Sequence, residues 1–119
     1  MLTQEKGRIA EEQAINYLTA QGLKLVGQNY HCKLGEIDLI MRDREHLVFV
    51  EVRSRVSAAF GGGLASITYA KRQKILKSAM HYAMVHKLQN KFALRFDVIS
   101  IDGKPASITW IKDAFGLDY

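Results

Sequence analysis

A chain of 119 residues, 48% hydrophobic with nine glycines and one proline, is long enough to bury a core as a single domain, residues 1–119, without disulfides or structural metal. Its one cysteine, Cys32, excludes an internal disulfide and a multi-cysteine zinc site, and it fits a reducing compartment. Lys and Arg number 17 against 12 Asp and Glu, and the net charge of +5 favours a polyanionic partner without naming one.

The opening MLTQEKGRIAEEQ meets charge at its fifth residue and has no apolar h-region, and no run approaches the roughly 18 to 20 apolar residues of a membrane span. The expectation is a cytoplasmic protein that does not enter a membrane. Residues 3 to 21 predict a helix closed by Gly22. On a helical wheel Ala10, Ala14, Ile15, Tyr17 and Leu18 fall within one arc of roughly 160°, with Ile9 and Ala20 outside it. LKLVGQNY, from Leu23, predicts a first strand, and Asn29, Tyr30 and HCKLG a passage into the second. Strands follow at Glu36 to Met41 and Leu47 to Ser54, turned at RDRE, residues 42 to 45.

FGGGLAS, residues 60 to 66, reads as a flexible loop, since it lacks the Lys and Ser or Thr of a phosphate-cradling loop. A second helix is predicted from Ile67 to His86, a fourth strand from Leu94 to Ile101, a turn at Asp102 and Gly103, and a fifth strand from Ser107 to Ile111. Helix, three strands, helix, two strands is the order of an α/β domain with one mixed five-stranded sheet flanked by helices.

Within these elements some charges sit where apolar residues belong. Leu47, Phe49, Glu51 and Arg53 share one strand face, and Val48, Val50 and Val52 the other. If Arg42 faces Glu45, Asp38 lies opposite Phe49 on the face of Glu51, and the two carboxylates are diagonal neighbours at roughly 7 Å. Glu11 falls inside the apolar arc of the first helix, whereas Glu12 points away. Glu11 alone would read as a rim residue pairing with an Arg, and Asp38, Glu51 and Arg53 as a buried ion-pair cluster. One shared site accounts for all four. Clustered carboxylates without His or a second Cys suit Mg²⁺ or Mn²⁺, ions that promote phosphodiester hydrolysis. Of the histidines at 31, 46, 81 and 86, no pair has zinc-ligand spacing supported by a third ligand, and they read as surface or hydrogen-bonding residues, with His31 near the shared site. On the second helix Lys71, Lys74, Lys77 and His81 share an arc opposite Ile75, Leu76, Ala79, Tyr82 and Ala83. Such a basic face is either merely solvated or a contact for phosphates.

The segments GRIAEEQAINYLTAQGLKLVGQNYHCKLGEIDLI, VFVEVRSR, FG and ITYAKRQKI closely resemble the YraN family of small bacterial proteins, over nearly the whole chain. That family in turn resembles the restriction-endonuclease-like, PD-(D/E)xK superfamily, and its motif order is similar to that of archaeal Holliday junction resolvases. The resemblance implies the restriction-endonuclease-like three-layer core. It matches Glu11 to the helix glutamate, Asp38 to the strand aspartate and Glu51 to the glutamate of Glu-x-Lys. Asp38, Glu51 and the Val52 carbonyl are then implied as ligands of Mg²⁺ or Mn²⁺, with Glu11 supporting the metal or its water. Ile37 replaces the motif proline, and Arg53 stands where Lys is expected. Arg holds a phosphate but stays protonated, so it cannot serve as general base.

The function implied is a metal-dependent nuclease acting on DNA, with branched or structured DNA as a candidate substrate. Arg8, Arg53, Arg55, Lys71, Arg72, Lys74 and Lys77 are the basic residues expected at the nucleic acid, and a homodimer follows by analogy with the resolvases. Arg53 also leaves open a nucleic-acid-binding module that is catalytically weak or inactive. A protein-interaction module is the third reading.

Overall fold

A computed structural model of the chain describes residues 3–55 and 67–116, with side chains from residue 7 onward. Helix α1 (Thr3–Ala20) leads into strands β1 (Lys24–Cys32), β2 (Gly35–Asp43) and β3 (His46–Arg55); α2 (Tyr69–Val85) then precedes β4 (Ala93–Asp102) and β5 (Ser107–Ile111). The stretch read as a flexible loop, residues 60 to 66, lies outside the described residues. No helix among those described is long and apolar enough to cross a membrane.

The helix stop at Gly22 has a clear physical cause. Leu23 N donates to Leu18 O at 3.1 Å and Gly22 N to Thr19 O at 3.0 Å, a pattern that closes only if Gly22 enters the left-handed region, where its φ of 102° lies. Ala10, Ala14 and Leu18 are buried, and Ile15 and Tyr17 pack partly buried against the same cluster, as the wheel predicts.

The five strands lie in the order β1-β2-β3-β4-β5. Neighbours are antiparallel except β3 and β4, which are parallel and bracket α2 in the sequence. The sheet is therefore mixed, and each face carries a helix. Leu39, Met41, Val48, Val50 and Ile99 pack with α1. Ile40, Leu47, Phe49 and Val98 pack with Ile75, Leu76 and Ala79 of α2. Side chains of this size stabilise the fold by about 1.5–3 kcal/mol each when fully buried.

Two details of the sheet differ from expectation. First, the β2–β3 turn sits one residue later than RDRE: Asp43 pairs with His46 where Arg42 was expected to face Glu45, leaving Arg44 and Glu45 in the turn, with Arg44 at φ 56°. A two-residue hairpin favours positive φ at its first central residue, and here Arg44 supplies it. Phe49 consequently faces Ile40 rather than Asp38. A shift of two residues preserves every side chain's face, so Glu51 and Arg53 keep theirs; the paired register ends at Leu39 and Val50, one residue short of Asp38 and Glu51. Second, β1 does not end at Tyr30 but runs on through His31 and Cys32, which pair with Glu36 and Gly35. Strict alternation fails midway along this hairpin. Ile37 packs on the α2 side and Leu39 on the α1 side, although they are two residues apart. The break falls at Asp38, beside Asn29, whose φ is 53°.

In the middle of β4, where it pairs with Val50, the fully buried Asp97 accepts from Arg95 Nε at 3.0 Å, Arg95 Nη2 at 2.9 Å, Trp110 Nε1 at 2.9 Å and Asp113 N at 3.0 Å. Arg95 also donates to Asp43 at 2.9 Å. Every acceptor position of Asp97 is used for holding β2, β4 and the turn after β5 together, so this cluster is structural.

Candidate active site

The topology concentrates chemistry at one end of β3. Because β3 and β4 are parallel, α2 must run back along the sheet, so it begins near the C-terminal end of β3. Lys71 in its first turn accordingly meets Glu51, whereas Tyr82 further along stacks edge-on to Phe49, with ring centroids 6.1 Å apart. Carboxyl ends of parallel strands facing helix N-termini are the usual location of ligand sites in open α/β sheets.

Asp38 is half-buried where β2 and β3 part. Its Oδ2 accepts the backbone N–H of Val52 at 2.9 Å, replacing the strand partner that β2 no longer offers. The N–H and C=O of one strand residue point to the same edge, so the Val52 carbonyl is directed toward Asp38 as well. Glu51 is buried, its side chain only 6% exposed. Its Oε2 accepts no hydrogen bond among the described residues. Two cations approach that atom without bonding it: Lys71 Nζ at 3.7 Å and Arg53 Nη2 at 3.8 Å. Burial, then the hydrogen bond and negative charge of Asp38, push the Glu51 carboxyl up to about 9, against the opposing pull of Lys71 and Arg53.

Glu11 lies on the outer side of this pair. Its carboxyl is raised from the ordinary range, first by burial and next by the charge of Asp38, while a hydrogen bond to Asn29 works the other way. Asn29, in the left-handed conformation that breaks the strand, was not singled out by sequence; a residue tolerant of positive φ inside a strand pattern is the signal that marks it. Glu11 and Asp38 share an electrostatic environment. Even so, no group of three or more His, Cys, Asp and Glu side chains forms a metal-ligand set among the described residues.

A hard divalent cation fits these groups. Two carboxylates, one of them with a buried unsatisfied oxygen, together with a main-chain carbonyl are the donors that Mg²⁺ takes alongside water, which completes its shell. Asp38, Glu51 and Val52 O are the atoms that would hold it. Arg53 extends from the Glu51 face with its side chain 25% exposed, and its Nε is buried without a partner among the described residues.

The remaining basic residues scatter. Arg55 donates Nε to Asp102 at 3.1 Å. Arg72 donates to the Ile67 carbonyl at 3.1 Å and lies over the Phe115 ring, 5.9 Å from its centroid, which makes it part of the packing under α2. Arg8 pairs on the surface with Glu12 at 2.8 Å. Lys74 and Lys77 are exposed, but Lys74 also abuts the β1–β2 turn: a Cβ on Gly35 would come 3.3 Å from Lys74 Cβ and 3.0 Å from Ser78 Oγ. His81 is bonded to Tyr30 OH at 2.8 Å. The arc of the second helix read as one basic face therefore borders the hairpin for much of its length, and Lys71 alone among its three lysines forms an ion pair with a carboxylate of the site.

Comparison with known proteins covers the same residues. A UPF0102 protein of Legionella pneumophila (strain Philadelphia 1) is 65% identical over 114 residues, spanning 96% of this chain and 97% of its own. One from Psychromonas ingrahamii is 50% identical over 110 residues, 92% of this chain and 88% of its own. The family model described as "Uncharacterised protein family UPF0102" matches residues 10–101, a stretch that contains Glu11, Asp38, Glu51, Arg53 and Lys71. On the strength of that match and these relatives, the chain belongs to the UPF0102 family, the family to which the name YraN also refers.

Proposed function

We propose that the protein is a divalent-metal-dependent nuclease that hydrolyses phosphodiester bonds in DNA. The observation that carries the reading is the Asp38–Glu51 pair: two carboxyls on adjoining strands, with the buried Glu51 Oε2 unsatisfied and faced by two cations at 3.7 and 3.8 Å. A structural ion pair would close to hydrogen-bonding distance and use that oxygen. An arrangement that leaves it open is what a cation-binding carboxylate needs before its ligand arrives. The motif order Glu11, Asp38, Glu51-x-Arg53 supports the same class of chemistry through its resemblance to restriction-endonuclease-like enzymes, whose three-layer core is part of this proposal.

In hydrolysis a water oxygen bonds to phosphorus and releases a proton to solvent, the bond from phosphorus to one sugar oxygen breaks, and that oxygen takes a proton from solvent. Bound Mg²⁺ or Mn²⁺ supplies polarisation of a phosphoryl oxygen and a more acidic water. Asp38 and Glu51 contribute the negative charge and oxygen donors that hold the ion, with Val52 O beside them. Glu11 adds charge at the outer edge. Arg53, permanently protonated, neutralises the carboxylates and meets phosphate. The net charge of +5 draws a polyanion to the protein. Branched DNA and a symmetric dimer belong to this proposal through the resolvase resemblance.

The test is single-turnover cleavage of linear, flapped and four-way DNA in Mg²⁺ and in Mn²⁺, parent against Glu51→Gln. Cleavage by the parent and none by the variant is the expected result. A second reading, a DNA-binding module without cleavage, is favoured by Arg53 in the motif Lys position; it takes over if the parent binds but cuts none of the substrates.

A further inference from the structure

We propose that Lys71, from the first turn of α2, is the ammonium that meets the scissile phosphate at the Asp38–Glu51 site, in the place that Arg53 leaves without a lysine. The inference deepens the nuclease reading and rests on it for the word scissile. Sequence spacing groups Lys71 with Lys74 and Lys77 as one basic face. The tertiary structure separates them.

Three observations carry the proposal. Lys71 Nζ and Arg53 Nη2 approach the same oxygen, Glu51 Oε2, at 3.7 and 3.8 Å, both beyond hydrogen-bonding distance, so neither cation is consumed by it. Their exposures differ: the Lys71 side chain is 39% exposed and that of Arg53 25%, with Arg53 Nε fully buried. Arg53 is thus the inner counter-ion, held against the sheet, and Lys71 the outer one, between the carboxyls and a ligand arriving from solvent. Lastly, the Lys71 backbone is held by the helix cap. Lys71 N donates to Thr68 Oγ at 3.2 Å and Arg72 N to Thr68 O at 2.9 Å, capping a helix of 17 residues whose first turn carries no acidic side chain. The positive end of that helix is uncompensated and adds to the attraction for an anion at Lys71.

An ammonium on four methylenes reaches a phosphate oxygen from several directions, whereas the more buried Arg53 presents a planar guanidinium with less of its side chain open to solvent. A cation present only to neutralise Glu51 would need no such access. The two roles therefore predict different consequences for DNA.

The experiment compares the parent with Lys71→Met, Lys71→Gln and a control, Lys91→Met, just before β4 at the opposite end of the sheet. In EDTA, anisotropy of a fluorescein-labelled duplex and four-way junction is followed across KCl concentrations. Both Lys71 variants should lower the slope of log affinity against log salt by about 0.9, one phosphate contact, and the control should leave it unchanged. In Mn²⁺, single-turnover cleavage at saturating protein should fall at least about 100-fold in both Lys71 variants, as for loss of one transition-state charge contact, with thermal midpoints near that of the parent. Lys71→Gln keeps a polar side chain over Glu51 and serves if Lys71→Met does not fold. An unchanged salt slope, or parental cleavage in either folded variant, overturns the assignment. If the parent itself never cuts, the nuclease reading fails separately, and the slope in EDTA still decides whether Lys71 meets phosphate.

Discussion

Asp38 Oδ2 accepts the main-chain N–H of Val52 at 2.9 Å, so a residue proposed to bind metal is also the hydrogen-bond partner that terminates the β2–β3 ladder. Val52 follows Glu51 directly on β3, so the bond ties Asp38 to the residue beside the buried carboxyl. The proposed function and the local folding thus meet in this one carboxylate.

That coupling separates two substitutions. Asp38→Asn keeps a carbonyl acceptor for Val52 N–H and removes the charge facing Glu51, so stability is expected to hold or rise slightly. Asp38→Ala strands a part-buried N–H and is expected to cost about 1–3 kcal/mol. Urea unfolding of the two variants checks the difference; equal losses would mean that the Val52 bond contributes nothing.

Glu51 makes stability depend on pH in an unusual direction. Unfolded, its carboxyl titrates near 4.5; folded, it is pushed up to about 9, chiefly by burial. Across that window the folded chain holds one proton more than the unfolded chain, so this contribution is full below pH 4.5 and is lost as pH rises through 9. The expected slope from this group approaches about 1.4 kcal/mol per pH unit. Glu51→Gln should flatten the profile in metal-free buffer. Parallel profiles for parent and variant would show that Glu51 ionises normally.

Divalent cations should stabilise the parent and not its carboxylate variants. At 100 times its dissociation constant Mn²⁺ is expected to add about 2.7 kcal/mol, read as a rise in thermal midpoint. Asp38→Asn and Glu51→Gln should each abolish the rise, with heat of binding lost in calorimetry. A parent that gives no heat and no shift at millimolar Mn²⁺ removes the metal site.

Gly35→Ala tests the docking of the β1–β2 hairpin on α2. Its φ is 151°, and an added Cβ would lie 3.0 Å from Ser78 Oγ and 3.3 Å from Lys74 Cβ. Strain and crowding together should destabilise by about 1–3 kcal/mol. Unchanged unfolding in urea would mean that the hairpin shifts freely on the helix.

The sequence by itself determined the elements and most of their faces. The buried arc of α1, the stop at Gly22, the strand at Ser107–Ile111 and the grouping of Glu51 and Arg53 with Leu47 and Phe49 all follow from local rules: helical period, a left-handed cap and strand alternation. Even the mistaken turn between β2 and β3 left the faces right, because the error was two residues and alternation has a period of two. What the tertiary structure decided are relations between residues far apart in the chain. The break in alternation at Asn29 and Asp38 puts Ile37 and Leu39 on opposite faces of the sheet, and it falls where the β2–β3 pairing ends and Asp38 takes the Val52 N–H. The approach of Lys71 to Glu51 depends on the parallel pairing of β3 with β4, which returns α2 along the sheet with its first turn over the end of β3. A helical wheel gives Lys71, Lys74 and Lys77 equal standing, since it encodes rotation about one axis and nothing of what lies across from it. Packing against a second element removes that equivalence, and this is the physical reason that one lysine of the three joins the carboxylates.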